Sequence, residues 1–249
     1  MATKKALNFG LLGKNIAYSF SPGYFAKKFE RENLSHCHYQ NFDCADVAEV
    51  VDVIQRDDIK GLNVTIPYKE AVIPTMDELS PTAATIGAVN TIIFTKEGKR
   101  IGDNTDAYGF ERALFDHYHK QPKKALILGT GGASKAVAYV LKKRGITPQF
   151  VSRKARENCL DYAALTDEVI TAHELIINCT PLGTHPAIEE SPALNYAALN
   201  EQHFLFDLVY NPPMSRFLQL GKAQGAGTAN GADMLVHQAN RSWDLWMKH

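Results

Sequence analysis

The chain has 249 residues, of which 45% are hydrophobic, and it carries 27 basic and 27 acidic side chains. This length is enough to bury a sizeable core and suits one large domain or two smaller ones. Because the formal net charge is zero, the composition does not indicate a nucleic-acid-binding surface or a polybasic membrane patch. The four cysteines are scattered without a C-x-x-C pair. They favour free thiols in a reducing cytosol over a disulfide framework or a zinc site.

The sequence gives little indication of a targeting segment or of a metal-binding site. The start of the chain, from Met1 to Lys5, is basic but lacks the long apolar run of a signal peptide. No stretch is long and apolar enough to span a bilayer. His36 and His38 share a face of a predicted strand, but no third metal ligand accompanies them. We therefore expect a cytoplasmic protein, monomeric or homodimeric, without a metal and without nucleic-acid or membrane partners.

The first half of the chain alternates apolar runs with helical patterns. In chain order, the patterns predict a strand over 6–13, a helix over 22–33, a strand over 36–42, a helix over 46–55 and a strand over 61–66. A hairpin of strands 88–95 and 99–102 then precedes a helix over 106–119. Alternation of this kind predicts a parallel sheet covered by helices.

A second α/β unit follows a boundary near Gln121-Pro122. Its patterns predict strands over 125–128, 149–152, 175–179 and 204–209, and helices over 133–144, 215–224 and 233–248. The two halves therefore have similar architectures, although no internal sequence repeat relates them.

Polar side chains gather at the end of the predicted strand over 61–66. Alternation sends three apolar side chains to one face and two hydrogen-bonding side chains to the other, namely Leu62, Val64 and Ile66 against Asn63 and Thr65. Lys69 follows this strand, and Asp106 follows the polar cluster 102–105. Because ligands of open α/β sheets bind at the carboxyl ends of strands, this pair could transfer a proton to or from a small polar substrate. Taken singly, Lys69 also fits a surface lysine, and Asp106 a helix cap or first-turn acid.

Two serines flank Phe20 and precede Pro22. On local grounds Ser21 fits a helix N-cap, with Pro22 as the first helical residue. A hydroxyl at a helix N-terminus also suits an anionic carboxylate, so a ligand role for Ser19 and Ser21 stays open.

A glycine loop, Gly129-Thr130-Gly131-Gly132-Ala133-Ser134, lies between a predicted strand and a predicted helix. Such a loop lets the backbone approach a pyrophosphate, although a tight strand-to-helix turn has the same pattern. The next strand ends in Ser152-Arg153-Lys154, without the acid that holds a ribose 2′-hydroxyl. Two cations there suit a 2′-phosphate, so the sequence predicts NADP(H); two solvated surface cations are the alternative.

Nine segments, in order along nearly the whole chain, resemble the shikimate dehydrogenase family. They include Ser-Phe-Ser-Pro over 19–22, Asn-Val-Thr-Ile-Pro-Tyr-Lys over 63–69 and Asn-Thr-Asp-Ala-Tyr-Gly over 104–109. The other six segments are 87–91, 129–133, 152–153, 178–183, 207–212 and 230–234. The chain departs from the family's pattern at Tyr18, Ser152 and Lys154, and it is somewhat short for the family.

The resemblance implies a fold, a reaction and a cofactor. The fold is an N-terminal α/β substrate domain over 1–105, with a C-terminal helix over 233–249 packing back onto it. A Rossmann-like NADP-binding domain over 106–232 follows, with a cleft between the two domains. The reaction is the reversible, NADPH-dependent reduction of 3-dehydroshikimate to shikimate, in the pathway to chorismate and the aromatic amino acids.

The resemblance also implies the residues of the site. Lys69 and Asp106 carry over as the catalytic pair. The implied substrate contacts are Ser19, Ser21, Thr65, Asn90, Asp106, Tyr210 and Gln238. The implied cofactor contacts are Gly129, Gly131, Gly132, Ala133, Ser152, Arg153, Lys154, Thr180, Leu208, Gly231 and Met234.

Two alternative functions are also considered. A quinate/shikimate dehydrogenase that uses NAD is disfavoured by the cations Arg153 and Lys154 and by the serine pair, since a threonine in that pair accompanies quinate use in the family. A binding module that senses NADPH without chemistry is disfavoured by the presence of both Lys69 and Asp106.

Overall fold

The computed structural model describes residues 5–249. The first four residues, which form most of the basic start noted above, lie outside this range. The chain divides into two compact units. The first unit comprises Met1–Thr105 and Gln238–His249, and the second comprises Asp106–His237.

The first unit is built on a six-stranded mixed sheet. Its strands are β1 (Leu7–Gly13), β2 (Cys37–Asp43), β3 (Ile59–Val64), β4 (Glu78–Leu79), β5 (Thr91–Phe94) and β6 (Arg100–Asp103), in the order β2-β1-β3-β5-β6-β4. Its helices include α1 (Phe20–Arg31), α2 (Val47–Ile54) and α3 (Pro81–Ile86). β1 runs parallel to β2 and β3, whereas β5 is antiparallel to β3 and β6. The predicted parallel arrangement is therefore found for β1, β2 and β3, and the predicted hairpin is found for β5 and β6, because the short turn after β5 reverses the chain.

The C-terminal part of helix α8 (Ala232–Lys248), from Gln238 onward, belongs to the first unit and packs into its core. The Trp246 indole donates to the carbonyl of Ile92 at 3.0 Å and its ring stacks on Phe9. A Cβ added to Gly61 would lie 2.4 Å from the Trp246 ring, so only glycine lets β3 approach this helix so closely.

The second unit is built on a six-stranded sheet whose strands all run parallel. The strands are β7 (Lys124–Leu128), β8 (Thr147–Ser152), β9 (Cys159–Asp161), β10 (Leu175–Asn178), β11 (Phe204–Asp207) and β12 (Gly227–Asn230), in the order β9-β8-β7-β10-β11-β12. Helices α5 (Gly132–Lys143), α6 (Asp167–Thr171) and α7 (Arg216–Ala223) lie between these strands in the chain, and α4 (Thr105–His117) precedes β7. Numbered within the unit, this is the order 3-2-1-4-5-6 of dinucleotide-binding folds, which bind ligands where the order reverses, beside β7 and β10.

Most predicted elements exist, but some ends differ. β3 ends at Val64, two residues earlier than predicted, because a turn closed by the Tyr68 amide and the Thr65 carbonyl follows it. Ile66 is therefore 74% exposed and does not share the buried face of Leu62, which is 0% exposed. The short elements β4, β9, β12, α3 and α6 were not predicted, since two to six residues carry too little periodicity to identify them.

Three further properties concern residues 5–249. No helix in this range is long and apolar enough to cross a membrane. No group of three or more His, Cys, Asp or Glu side chains in it could hold a metal ion. The cysteines are all free thiols.

Candidate active site

The turn after β3 fixes the backbone around Lys69. The Thr65 amide donates to the carbonyl of Leu12 at 2.9 Å, and the Tyr68 hydroxyl donates to the carbonyl of Cys44 at 2.7 Å. The Lys69 carbonyl then accepts the Val89 amide at 2.7 Å. Thr65 and Lys69 are both half-buried, so the turn presents a hydroxyl and an ammonium at the carboxyl end of β3.

Asn90 is held in one orientation by its neighbours. Its Oδ1 accepts the Thr105 amide at 2.7 Å, the Thr105 hydroxyl at 3.1 Å and the Thr91 hydroxyl at 3.0 Å. Because a backbone N–H can only donate, the oxygen must face Thr105, and Nδ2 is the donor on the other side of the amide. Asp106 comes next in the chain and is buried in the first turn of α4. The segments of Lys69, Asn90 and Thr105 are thus brought together, with Asp106 one residue further.

The two serines occupy the first turn of α1, not the positions predicted. Ser19 is the N-cap, with extended backbone and no capping hydrogen bond from its side chain, and the helix begins at Phe20. Ser21 as N-cap is therefore wrong. The first turn of α1 contains no acidic residue, so the helix N-terminus with its two hydroxyls offers a favourable field to an anion.

The remaining predicted substrate contacts fall in different units. Gln238 is buried on α8 in the first unit, where its backbone carbonyl accepts the Ser242 hydroxyl at 3.0 Å. Tyr210 is half-buried just after β11 and belongs to the second unit.

The glycine loop lies at the switch point of the second sheet. Gly129 has φ of +107°, and a Cβ there would lie 3.2 Å from the Cys179 backbone and from Cγ2 of Thr180, so glycine is required. Gly131 is the N-cap of α5, and a Cβ on it would meet nothing within 4 Å. The loop, with Gly132 and Ala133 opening α5, therefore leaves room for a pyrophosphate beside uncapped helix amides.

Ser134 stands where the dinucleotide fingerprint has glycine or alanine, and the structure accommodates it. Its side chain is fully buried and its hydroxyl donates to the carbonyl of Gly131 at 2.6 Å. The hydroxyl is thus satisfied within the loop, and close packing of α5 on the sheet is preserved. This departure does not weaken the predicted dinucleotide loop.

The end of β8 presents two cations. The Ser152 hydroxyl donates to the carbonyl of Lys154 at 2.6 Å, which closes a tight turn. The side chains of Arg153 and Lys154 are exposed. Within residues 5–249 neither forms an ion pair with a carboxylate. Both charges are therefore available to a phosphate.

Hydrogen bonds and close backbone contacts fix the loops that follow β10 and β11. Asn178 Oδ1 accepts the Thr180 amide at 3.0 Å and the Thr180 hydroxyl at 2.6 Å. A Cβ on Gly231 would lie 2.4 Å from the carbonyl oxygen of Leu208, so glycine is needed for the chain to pass there. Met234 follows on α8 and is buried. Thr180, Leu208 and Gly231 thus lie at the carboxyl ends of neighbouring strands, where a dinucleotide-binding sheet holds its ligand.

Asp207 is a buried carboxylate that organises these loops. It is 0% exposed and accepts the Asn178 amide at 2.9 Å, the Val209 amide at 2.9 Å and the Ser215 hydroxyl. Burial raises the pKa of Asp207 from 3.8 to about 6, while the hydrogen bonds from Ser215, Val209 and Asn178 oppose this rise. Through Asn178 this carboxylate fixes the backbone of Thr180.

The raised pKa of Asp207 predicts a pH dependence of stability. Between pH 4 and pH 6 the folded protein keeps a proton that the unfolded chain has lost, so the free energy of unfolding falls as the pH rises. A difference of roughly two pKa units corresponds to ~3 kcal/mol. In Asp207→Asn, Oδ1 can still accept from Asn178 and Val209 while Nδ2 donates to Ser215.

We therefore expect the stability of Asp207→Asn relative to wild type to increase by about 2–3 kcal/mol between pH 4 and pH 7. Urea denaturation of both proteins across this range measures the difference, which cancels the contribution of all other groups. If the free energies of unfolding of the two proteins change with pH in the same way, the raised pKa of Asp207 is contradicted.

A doubly wound parallel sheet with a glycine loop at its switch point, joined in one chain to a second α/β unit, is typical of two-domain dehydrogenases. The family model of the shikimate dehydrogenase substrate binding domain matches residues 11–92. The shikimate dehydrogenase (NADP(+)) of Methanosphaera stadtmanae is 33% identical over 264 residues, covering 99% of this chain and 93% of that protein. The chain belongs to the shikimate dehydrogenase family, and the resemblance drawn from its sequence is confirmed.

Solved structures agree with this family. Shikimate 5-dehydrogenase from Thermus thermophilus, in complex with NADP(H) and shikimate, is 32% identical with a TM-score of 0.87, and the match covers 98% of this chain and 94% of that one. Quinate dehydrogenase from Corynebacterium glutamicum, in complex with NAD, is 27% identical with a TM-score of 0.87, covering 99% and 95%. The predicted fold class is thereby confirmed.

Sequence reasoning missed two sets of side chains at the site. Asp207 lies in a segment quoted for the resemblance, but nothing local indicates that its carboxylate is buried. Thr91, Thr105 and Ser242 form a buried cluster with Asn90, and a serine on a late helix gives no local signal of such a role.

Proposed function

We propose that the protein is an NADP-dependent shikimate dehydrogenase, which reversibly reduces 3-dehydroshikimate to shikimate in aromatic amino acid biosynthesis. The observation that carries the proposal is the packing around Asn90. The Val89 amide donates to the carbonyl of Lys69, and the Asn90 side chain accepts the Thr105 amide, so the segments of Lys69, Asn90 and Thr105–Asp106 meet at strand ends. The glycine loop at the switch point of the second sheet supports a dinucleotide as the second reactant.

We assign the catalytic roles to Lys69 and Asp106. Bound NADPH supplies a hydride for the substrate carbonyl. Negative charge then develops on the carbonyl oxygen, and the Lys69 ammonium stabilises it and donates a proton. The Asp106 carboxylate lies in the first turn of α4, where the helix N-terminus favours its charge. It accepts a substrate hydroxyl and holds the ammonium in position.

The substrate contacts are proposed on similar grounds. Ser19 and Ser21 donate hydroxyl hydrogen bonds to the substrate carboxylate, in the field of the α1 N-terminus. Thr65 and the Nδ2 group of Asn90 bind substrate hydroxyls. Tyr210 and Gln238 complete the set. The first unit is accordingly proposed as the substrate domain.

The cofactor contacts belong to the second unit, the proposed NADP-binding domain. Gly131, Gly132 and Ala133 bind the pyrophosphate with backbone amides, which the open space beside Gly131 supports. Gly129, whose own amide donates to the carbonyl of Val151 at 2.8 Å, gives the loop the turn that lets the pyrophosphate approach. Ser152, Arg153 and Lys154 bind the 2′-phosphate. The proposed nicotinamide side consists of Thr180, Leu208, Gly231 and Met234. The free cysteines suit a reducing compartment, so we propose a cytoplasmic enzyme, monomeric or homodimeric.

A four-way activity assay tests the proposed function. Purified protein is incubated with shikimate or quinate and with NADP or NAD, and the rate of cofactor reduction is measured from the increase in absorbance of the reduced nicotinamide. We expect shikimate with NADP to be the most efficient pair by a clear margin, because both positions of the serine pair hold serine and Arg153 and Lys154 favour the phosphate. Comparable efficiency with quinate and NAD would instead support the quinate dehydrogenase alternative, and no turnover with any pair would support a binding module.

Arg153→Ala is expected to weaken NADPH binding much more than NADH binding. Only NADPH carries the 2′-phosphate, and a charge-assisted hydrogen bond contributes about 1.5–3 kcal/mol, or roughly 10- to 150-fold in affinity. Fluorescence titration of both cofactors measures the ratio of the two losses. Arg112→Ala removes an exposed arginine from α4 of the same unit and should leave both affinities unchanged. Equal losses for NADPH and NADH in Arg153→Ala would show that Arg153 does not contact the phosphate.

A further inference from the structure

Asp207 is a buried carboxylate that has no role in the proposed reaction. Its three hydrogen-bond donors come from three different segments of the second unit: Asn178 ends β10, Val209 lies in the loop after β11, and Ser215 is the N-cap of α7. Burying a carboxylate away from water is unfavourable unless donors replace the water. One side chain therefore fixes the relative placement of three segments at the carboxyl end of the sheet.

The first link from Asp207 runs through Asn178 to Thr180. A carboxylate can only accept hydrogen bonds, so Nδ2 of Asn178 must face Asp207, and Oδ1 faces the other way. This oxygen accepts both the amide and the hydroxyl of Thr180, and the Thr180 hydroxyl oxygen in turn accepts the Leu182 amide at 3.3 Å. Asp207 thus sets the orientation of the Asn178 amide group on which the Thr180 loop depends.

The second link runs through Val209 to the segments of Leu208 and Gly231. The Val209 amide, which donates to Asp207 at 2.9 Å, belongs to the peptide group that follows Leu208. The Leu208 amide donates to the carbonyl of Asn178 at 3.0 Å, and the Val209 carbonyl accepts the Gly231 amide at 3.4 Å. The backbone on both sides of Leu208 is therefore held by the same set of hydrogen bonds.

We propose that Asp207 is a positioning residue for the nicotinamide half of the cofactor, which holds the loops of Thr180, Leu208 and Gly231 in the arrangement that receives the ring. This inference rests on the proposed function, since it deepens the roles assigned to those three residues. Because Asp207 is 0% exposed, it does not touch the cofactor and acts through its three donors. The turn at the end of β8, which presents Arg153 to the 2′-phosphate, is closed by its own hydrogen bond and is not part of this set.

Asp207→Ala leaves three buried donors without their acceptor. We expect kcat with shikimate and NADP to fall roughly 10- to 10²-fold, since misplacement of a reacting group by about 1 Å has an effect of up to that size. The affinity for NADP should fall about two- to tenfold, as for the loss of one net hydrogen bond. Assays at about pH 8 keep the wild-type carboxylate charged, because the pKa of Asp207 is about 6.

Adenosine 2′,5′-bisphosphate separates positioning of the nicotinamide from a general loosening of the unit. This molecule carries the 2′-phosphate but lacks the nicotinamide half. Fluorescence titration of the protein, or competition against NADPH, should give the same affinity for it in Asp207→Ala and in wild type, within about twofold. A purely structural role for Asp207 would weaken NADP and the bisphosphate equally.

Asp207→Asn tests whether the acceptor position or the charge is needed. Asparagine can still accept from Asn178 and Val209 through Oδ1, while its Nδ2 donates to Ser215. We therefore expect kcat and NADP affinity close to those of wild type. If Asp207→Asn were as defective as Asp207→Ala, the negative charge rather than the placement of the loops would matter, and the proposal would be overturned.

His203→Ala is a matched control at the opposite end of the same strand. His203 directly precedes β11 and is 3% exposed; its Nδ1 accepts the Asn200 amide at 3.1 Å, and its Nε2 donates to the carbonyl of Ile170 at 3.2 Å. Its removal also leaves buried polar groups unpaired, so the melting temperature should fall. Because ligands bind at the other end of the strands, kcat and NADP affinity should be unchanged.

Asn178→Ala gives a second test should Asp207→Ala fail to fold. It removes only the link from Asp207 to Thr180, and it should weaken NADP while leaving the affinity for adenosine 2′,5′-bisphosphate unchanged. Where both single variants fold, the double variant should lose less activity than the product of the two single losses, because both remove the same hydrogen bond.

The outcomes separate this inference from the proposed function. If wild-type protein turns over shikimate with NADP, but neither Asp207→Ala nor Asn178→Ala changes kcat or NADP affinity, the inference is overturned and the proposed function stands. Equal losses of NADP and bisphosphate affinity, or a loss of NADP affinity in His203→Ala as large as in Asp207→Ala, would also overturn it. Wild-type protein that binds NADP without turning over shikimate would overturn the proposed function, whereas the two affinities would still decide the role of Asp207.

Discussion

Replacing Lys69 by alanine is expected to lower kcat by roughly 10²–10⁴-fold, the range of a general acid–base group, while shikimate binding falls much less. The Lys69 ammonium meets charge that develops only in the transition state, so its loss appears in the catalytic rate. The side chain is half-buried, just past the turn that closes β3, and alanine is tolerated in such a turn. Steady-state kinetics with shikimate and NADP measure kcat, and calorimetric titration measures shikimate binding.

A second lysine provides the control for this experiment. Lys96 is exposed in the turn between β5 and β6 of the same unit, so Lys96→Ala should keep the wild-type kcat. Melting temperatures of both variants should match that of wild type within a few degrees, because neither change empties the core. A near-normal kcat in Lys69→Ala would remove Lys69 from the catalytic role, whatever its affinity for shikimate.

The architecture was largely predictable because it depends on local patterns. Strand and helix alternation is a property of neighbouring residues, and the glycine loop follows β7 directly in the chain. The start of α1 was not predictable in this way. Proline favours the first helical position, but the helix begins at Phe20 and puts Pro22 third. That position is also among the first four amides without a partner in the helix, so proline loses no hydrogen bond there.

The packing of the site was not predictable, because it joins residues that are far apart in sequence. Tyr39 and Asn63 are 24 positions apart, and Asn63 and Ser242 are 179 positions apart. No periodicity or motif relates such positions, and only the folded sheet of the first unit, with α8 packed on it, brings them together. The motif residues Lys69, Asn90 and Asp106 could be named from the sequence, whereas the side chains that orient Asn90 required the structure.

Asp106→Asn is expected to damage both shikimate binding and turnover. The carboxylate is buried in the first turn of α4, and asparagine keeps its shape but removes its charge. A hydrogen bond to a charged group contributes about 1.5–3 kcal/mol, so kcat/KM should fall roughly 10- to 150-fold. Asp116→Asn is the matched control, since Asp116 lies on the same helix with its side chain 47% exposed and paired with His237. It should leave kcat/KM unchanged.

The combination of Asp106→Asn with Lys69→Ala decides whether the two residues act as a pair. If Asp106 both accepts substrate hydroxyls and holds the ammonium, part of its effect depends on Lys69 being present. The double variant should then lose less activity than the product of the two single losses, as expected for groups that act as a unit. Strict multiplicativity would mean that each residue meets the substrate independently. In that case Asp106 would remain a substrate contact, and the positioning of Lys69 would have to come from another group of the site.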